Sequence, residues 1–339
     1  MVRDNVATLY QASEDGFGSP LPGFVRAELS GYLGCRVLGR GFAHLVCKDC
    51  GQPHLLAFSC GGRGFCPSCT GRTMAQTAAN LTEFVLPDAP LRQWVLTVPF
   101  ALRAAVAYDR HLLPRLYGFL CDSIQGFYRR RLADHGYPGG RTGSVTAIQR
   151  CSGDLRLNPH LHGVFLDGVY VEHTAAGSDA QAALRFVTLP QPTDMDVKEV
   201  LQTLVARAAR YLRRRGLLTD DDSGAALQPR HDQDSEQLAL DALAQAAATG
   251  TSIAGPASRK GRIALQDGEL ARSRSPLCAT LSGFSLHART TVEQGDKAGR
   301  ERLIKYILRP PLAEGRLQRL DGGRVRLQLK RAFGDGTFA

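Results

Sequence analysis

The chain has 339 residues, enough for two or three domains of ~100–200 residues each. Hydrophobic residues at 43% and charged residues at 22% exclude a disordered tail and a collagen-like chain, and the longest apolar stretch, 94–102, falls far short of the ~20 residues that cross a bilayer. The charge is basic, with 42 Lys+Arg against 32 Asp+Glu; Lys occurs only at 48, 198, 260, 297, 305 and 330, and an excess of Arg forks fits a phosphate-rich partner such as nucleic acid.

Residues 1–30 read as a polar lead-in with a Gly/Pro-rich stretch from Gly16 to Gly23, and the absence of an apolar run predicts no export signal. Six of the nine cysteines then fall between 35 and 69. Without export a disulfide framework is not expected. Cys47-Lys-Asp-Cys50 and Cys66-Pro-Ser-Cys69 are two C-x2-C pairs separated by fifteen residues, a zinc-site pattern. The expectation is a closed structural Zn²⁺ site of four thiolates, Cys47, Cys50, Cys66 and Cys69, from which a small loop-rich module gains its folding energy. His54 or Cys60 could replace a thiolate, or serve a second ion with His44 or Cys35. Lys48, Arg63 and Arg72 surround this module and suit phosphate contact.

Residues 72–86 read as a helix leaving the module, bounded by Pro87 and Pro90, and 94–98 as a buried strand. Over 112–132 the apolar residues Leu112, Leu116, Phe119, Leu120, Ile124, Phe127 and Leu132 recur at helical spacing. Residues 144–150 and 160–166 read as strands, the second turning at Asp167-Gly168 into a hairpin with 169–172. An amphipathic helix is expected over 195–215, stopped by Gly216. Residues 217–275 read as a polar insertion with an Ala-rich helix near 236–248. A strand over 281–287, a helix over 297–308 that must end before Pro310-Pro311, and a strand over 324–330 complete the pattern. The elements mix helices and strands in an α+β pattern, with an N-terminal zinc-binding module over 1–86 and a second domain over 91–339.

His160 and His162 flank Leu161 on a predicted strand, so both imidazoles share one face while Leu161 enters the core. Two neutral imidazoles on one face can hold a metal ion. Gln149 is a candidate third ligand from the neighbouring strand, with Asp109 and His287 also open. Tyr306 sits at the edge of the apolar stripe of its helix, near Arg302, Lys305 and Arg309, a setting that suits an anionic phosphate.

The strings HLVCKDCGQPHLLAFSCGGRGFCPSC, RQWVLTVPFALR, IQRCSGDLRLNPHLHGVFLDGVYVE, GFSLHA and ERLIKYILRPPLA, in that order, resemble the rolling-circle transposases of the insertion sequence 91 family. That resemblance implies an N-terminal zinc-binding, DNA-docking domain followed by a His-hydrophobic-His (HUH) nuclease domain built on a central antiparallel sheet flanked by helices, with His160 and His162 as the metal pair for catalytic Mg²⁺ or Mn²⁺. It implies Tyr306 as the catalytic nucleophile that nicks and rejoins single-stranded DNA through a 5′-phosphotyrosine. Partners would be the single-stranded element ends and a host helicase, since no GxxxxGK[ST] motif is present. A bacterial cytoplasmic, nucleoid-associated protein with no membrane partner is expected. Founding members carry Tyr-x-x-x-Tyr; here Arg302 occupies the first position, which resembles single-tyrosine relatives. Relatives continue past the final strand, so a C-terminally truncated copy is expected, with a non-catalytic zinc-dependent DNA-binding protein as the alternative. A plasmid replication initiator or relaxase would share the chemistry, but such proteins usually lack this zinc module.

Overall fold

A computed structural model of the chain describes residues 1–17, 20–62, 64, 66–137, 139–174, 182–221, 224–227, 263–264, 275–313 and 315–329. The N-terminal stretch is helical rather than a polar lead-in: α1 (Val2–Phe17) and α2 (Gly23–Leu33) pack together. Val2, Val6, Leu9, Tyr10 and Ser13 form the less exposed stripe of α1, and the Arg26 guanidinium lies 5.2 Å over the Tyr10 ring. A two-stranded hairpin follows, β1 (Phe42–Val46) with β2 (Pro53–Ala57). Helix α3 (Pro67–Asn80) begins inside the second C-x2-C pair because Pro67 occupies its first turn, where a missing N–H costs nothing. A π-turn over Leu81–Val85 ends it.

The central sheet is antiparallel. Its order is β11 (Cys278–Leu281), β12 (Phe284–His287), β3 (Leu91–Thr97), β5 (Leu157–Leu166), β4 (Ser144–Cys151), and β13 (Thr291–Val292) also pairs with β3. Strands alternate their side chains between faces, and the two faces are covered differently. On one, Trp94, Leu96, Leu161 and Phe165 pack against α5 (Leu112–Asp134) and α6 (Asp194–Arg214). On the other, Leu91, Ala147, Val164 and Leu166 pack against Leu303, Ile304 and Ile307 of α7 (Lys297–Ile307), joined by Ala78 from α3. The short α4 (Arg103–Tyr108) bridges β3 and α5. A Thr193 capping box starts α6, its hydroxyl accepting from the Asp196 N–H.

Two expectations differ. The Asp167-Gly168 step is not a hairpin. The chain leaves the central sheet there, and β6 (Gly168–Thr174) pairs instead with β7 (Ala182–Thr188), a strand the sequence pattern does not announce. The reason lies in Asp167, whose carboxylate accepts from Arg92 Nε and Nη2 at 2.9 and 2.7 Å and from the Tyr128 hydroxyl at 2.9 Å. Asp167 therefore anchors a buried ion pair instead of a turn. The strand expected over 281–287 is itself a hairpin, β11 and β12, turning through Ser282 and Gly283, both at positive φ. Short strands β8 (Thr219–Asp221), β9 (Gly224–Leu227) and β10 (Ile263–Ala264) form a separate sheet, as do β14 (Leu317–Arg319) and β15 (Val325–Leu327). The helix expected near 236–248 lies outside the described residues.

Candidate active site and zinc-binding domain

The α7 face of the sheet carries the histidine pair. Strand β5 lies between β3 and β4, with His162 opposite Val95 and Ala147, and His160 opposite Thr97 and Gln149. The two rings are 4.9 Å apart between centroids. His160 Nδ1 lies 2.6 Å from the Asn158 carbonyl oxygen, which can only accept, so Nδ1 bears the proton and Nε2 the lone pair. His162 Nδ1 lies 2.6 Å from the Gln93 side-chain amide. With the amide nitrogen at that contact, Nδ1 accepts; with the amide oxygen there, Nδ1 donates and Nε2 keeps its lone pair. His162 Nε2 is buried and has no hydrogen-bond partner among the described residues. An orphaned, inward-facing imidazole nitrogen beside a second one fits a divalent ion. Burial pushes His162 down to about 3, with His160 and Arg309 adding like-charge repulsion; burial also lowers His160. Both rings are thus neutral at pH 7, the form that ligates metal.

Tyr306 is on α7, which is started by the Asp296 side chain accepting from the Gly299 N–H at 2.7 Å. The tyrosine is 45% exposed, and its ring stands edge-to-face with His162 at 5.6 Å between centroids. The Arg309 guanidinium lies 4.5 Å over the same ring.

Gln149 is placed differently from a free third ligand. Its Nε2 donates to the carbonyls of Tyr306 and Ile307 at 3.1 and 2.9 Å, and its Oε1 accepts from Arg309 Nε at 3.3 Å. The last carbonyls of a helix have no partner within it, and Gln149 satisfies two of them while fixing the tyrosine's turn to β4. Asp109 is engaged by Arg215 at 2.9 Å, away from the pair. His287 lies on the same sheet face but two strands from His162, ~10 Å at ordinary strand spacing, with its Nε2 3.3 Å from the Cys278 thiol.

Of the basic residues expected near the tyrosine, Arg309 is there. Arg302 leans toward Asp296 and Lys305 pairs with Glu301. A residue not foreseen is Arg103, at the start of α4. It is near enough to His160 to repel its protonated form, and it is itself lowered by burial and by Arg156. Gln93 was also unforeseen. Both lie within the string RQWVLTVPFALR, whose resemblance assigns neither of them a role.

In the N-terminal domain the structure gathers the sulfurs of Cys35, Cys60, Cys66 and Cys69, all within 4.8 Å of one another, a group that could hold one metal ion. Three S···S separations, 3.6, 3.5 and 3.7 Å, approach the roughly 3.8 Å edge of a tetrahedron with ~2.3 Å Zn–S bonds. The set differs from the expected one. Cys66 and Cys69 are retained, but Cys47 and Cys50 are exposed at the tip of the β1–β2 hairpin. Five-residue strands carry that tip ~17 Å from the hairpin base. Cys35 after α2 and Cys60 after β2 stand at the base, where α3 starts, so they complete the cluster. His44 and His54 are exposed on the strands, Lys48 is exposed at the tip, and Arg72 donates to the Ser59 hydroxyl at 2.8 Å. Arg63 lies outside the described residues.

With this geometry in place, comparison with known proteins is decisive. Residues 6–98 match the transposase zinc-binding domain of the insertion sequence 91 family, and residues 143–337 match a transposase family. The chain belongs to the insertion sequence 91 family of transposases. It is 29% identical over 151 residues to the transposase for insertion sequence element IS801 of Pseudomonas savastanoi pv. phaseolicola, a match covering 44% of this chain and 33% of that protein. No solved structure matches the chain. A zinc-binding domain in this family together with the four-cysteine cluster supports structural zinc. Among the described residues no helix is long and apolar enough to cross a membrane.

Proposed function

We propose that this transposase nicks and rejoins single-stranded DNA at the element ends by HUH chemistry, with Tyr306 as nucleophile, as rolling-circle transposition requires. The observation that carries the reading is the half-exposed Tyr306 ring set 5.6 Å from the His162 ring. The Tyr306 Oη attacks a backbone phosphorus and the P–O3′ bond breaks. The product is a 5′-phosphotyrosine and a free 3′-hydroxyl; the phenol proton leaves to solvent and the departing 3′-oxygen takes one up. Because the ester is conserved, a second 3′-hydroxyl can reverse the step without ATP. His160 and His162 would hold Mg²⁺ or Mn²⁺, which would supply charge neutralisation at the phosphate oxygens. Arg309, stacked on the tyrosine, and Arg103, beside His160, place positive charge around the same phosphate. Gln149 holds the tyrosine's turn, and Gln93 holds the His162 ring. A single tyrosine, with Arg302 one turn earlier, favours one covalent intermediate at a time. Strand separation falls to a host helicase, and the zinc-binding domain docks DNA.

The test is a nicking assay on labelled single strands flanking the gene, with Mg²⁺, Mn²⁺ or no divalent ion. Metal-dependent cleavage with a covalent protein–DNA band, lost in Tyr306→Phe and in His160→Ala/His162→Ala, is expected. Cleavage that survives Tyr306→Phe rejects the nucleophile, and binding without cleavage by the folded protein favours a DNA-binding role alone.

A further inference from the structure

Cys47 and Cys50 are left over once the four-cysteine cluster is assigned. Their setting is that of a metal knuckle. The turn is closed by Gly51 N–H donating to the Cys47 carbonyl at 2.9 Å and Cys47 N–H donating to the Gln52 carbonyl at 3.0 Å. Gly51 has φ 71°, a conformation few other residues take at ease. Within the turn the Cys47 thiol faces the N–H groups of Asp49 and Cys50 and the Cys50 thiol. A tight turn across a C-x2-C pair presents both sulfurs to a single ion.

Two thiolates fill half of the tetrahedral shell that structural zinc takes. The described residues do not gather a third ligand there: the four-cysteine set is the one group of three or more metal-binding side chains among them. His44 pairs with Leu55 and His54 with Leu45, so they sit on opposite faces of the hairpin.

The strands behind the tip are apolar and uncovered. Leu45, Val46, Leu55 and Leu56 are each more than half exposed, with Phe42 and Phe58 beside them. An isolated two-stranded hairpin is marginal in water, and one that shows leucines on both faces is a surface awaiting a cover. Nucleic acid offers stacking bases but no thiolate and no aliphatic strand face. A second copy of this chain supplies both, because its own hairpin offers an identical half-shell and an identical apolar strand pair about a two-fold axis.

We propose that two copies of this chain clasp one zinc ion between their hairpin tips, each giving Cys47 and Cys50, with the apolar strands packed together behind the ion. Four thiols give up four protons to form the site. The clasp would join two transposase chains through their DNA-docking domains and leave both tyrosines free.

Native mass spectrometry of the full chain, kept reduced with zinc and no chelator, tests this. The expected species is a dimer carrying three zinc ions, one in each four-cysteine cluster and one shared. Cys47→Ser/Cys50→Ser should give a monomer with one zinc and an unchanged far-ultraviolet circular dichroism spectrum. Leu45→Glu/Leu55→Glu, which leaves the sulfurs in place, should weaken dimerisation at least tenfold. A monomer with two zinc ions would mean one chain completes the site, as with His54, and would overturn the clasp. So would a wild-type monomer with one zinc, a disulfide between Cys47 and Cys50 under these reducing conditions, or a dimer that survives the cysteine double variant.

Discussion

His162 is a buried imidazole with one nitrogen held by Gln93 and the other without a partner among the described residues. The partner of a metal-ligating histidine fixes its tautomer, and its loss typically costs 10–100-fold in metal affinity. Gln93→Leu should therefore lower Mn²⁺ affinity, read by calorimetry, by about 10–100-fold, while Gln93→Glu, which still accepts from Nδ1, should retain most of it. An unchanged affinity in Gln93→Leu would show that the contact does not orient the ring. The same histidine sets a pH dependence. Its folded pKa of about 3 lies below the ordinary value of 6.5, so between those limits the unfolded chain takes up a proton that the folded chain refuses. Its contribution to stability is constant above pH ~6.5 and is lost as the pH falls toward 3. Melting temperatures measured from pH 7.5 to 4.5 should fall less steeply in His162→Ala than in the parent chain. The His-x-His pair and Tyr306 were legible because alternation on a strand and an edge position on a helix are local properties. Gln93 was not, since its role depends on β3 lying beside β5, which no spacing along the chain states.

At the scale of elements, the buried Arg92–Asp167–Tyr128 cluster shows where local reading stops. Asp-Gly between two apolar runs predicts a hairpin, and the prediction fails because the aspartate is taken by an arginine 75 residues away. Arg92 also donates to the Ala288 carbonyl at 2.9 Å, so one side chain ties β3, β5 and the end of β12 together. Removing one partner of a buried ion pair strands the other charge. Asp167→Asn or Arg92→Met should thus destabilise the domain by about 3–5 kcal/mol in urea unfolding. A loss under 1 kcal/mol would contradict the structural role. Long amphipathic helices, α5 and α6 above all, were legible almost to their ends because their apolar stripes recur over many turns. The N-terminal α1 was missed because its stripe is short and only partly buried. The cysteine pattern announced a zinc site by its spacing. It did not reveal which thiols meet, because that depends on a hairpin carrying one C-x2-C pair away while Cys35 and Cys60, far apart in sequence, return to its base.

For the whole molecule, the sheet separates stability from chemistry. The α5–α6 face is a continuous apolar core, and the α7 face carries the histidines, the tyrosine and the arginines over a smaller apolar base. The zinc-binding domain joins this second face through α3, whose Ala78 packs with α7 residues Leu303 and Ile304. Zinc removal should then reach the active site: stripping the metal with a chelator should unfold the N-terminal cluster and lower strand cleavage even with Mg²⁺ in excess. Full cleavage by zinc-depleted protein would show that the two parts act independently. The central claim, that Tyr306 bonds to the 5′ phosphate of a nicked strand, is tested most directly by digesting the covalent complex formed with Mg²⁺ and sequencing the DNA-bearing peptide by mass spectrometry. One adduct is expected, on Tyr306, through a 5′ phosphate. An adduct on any other residue, or a linkage through a 3′ phosphate, would contradict it.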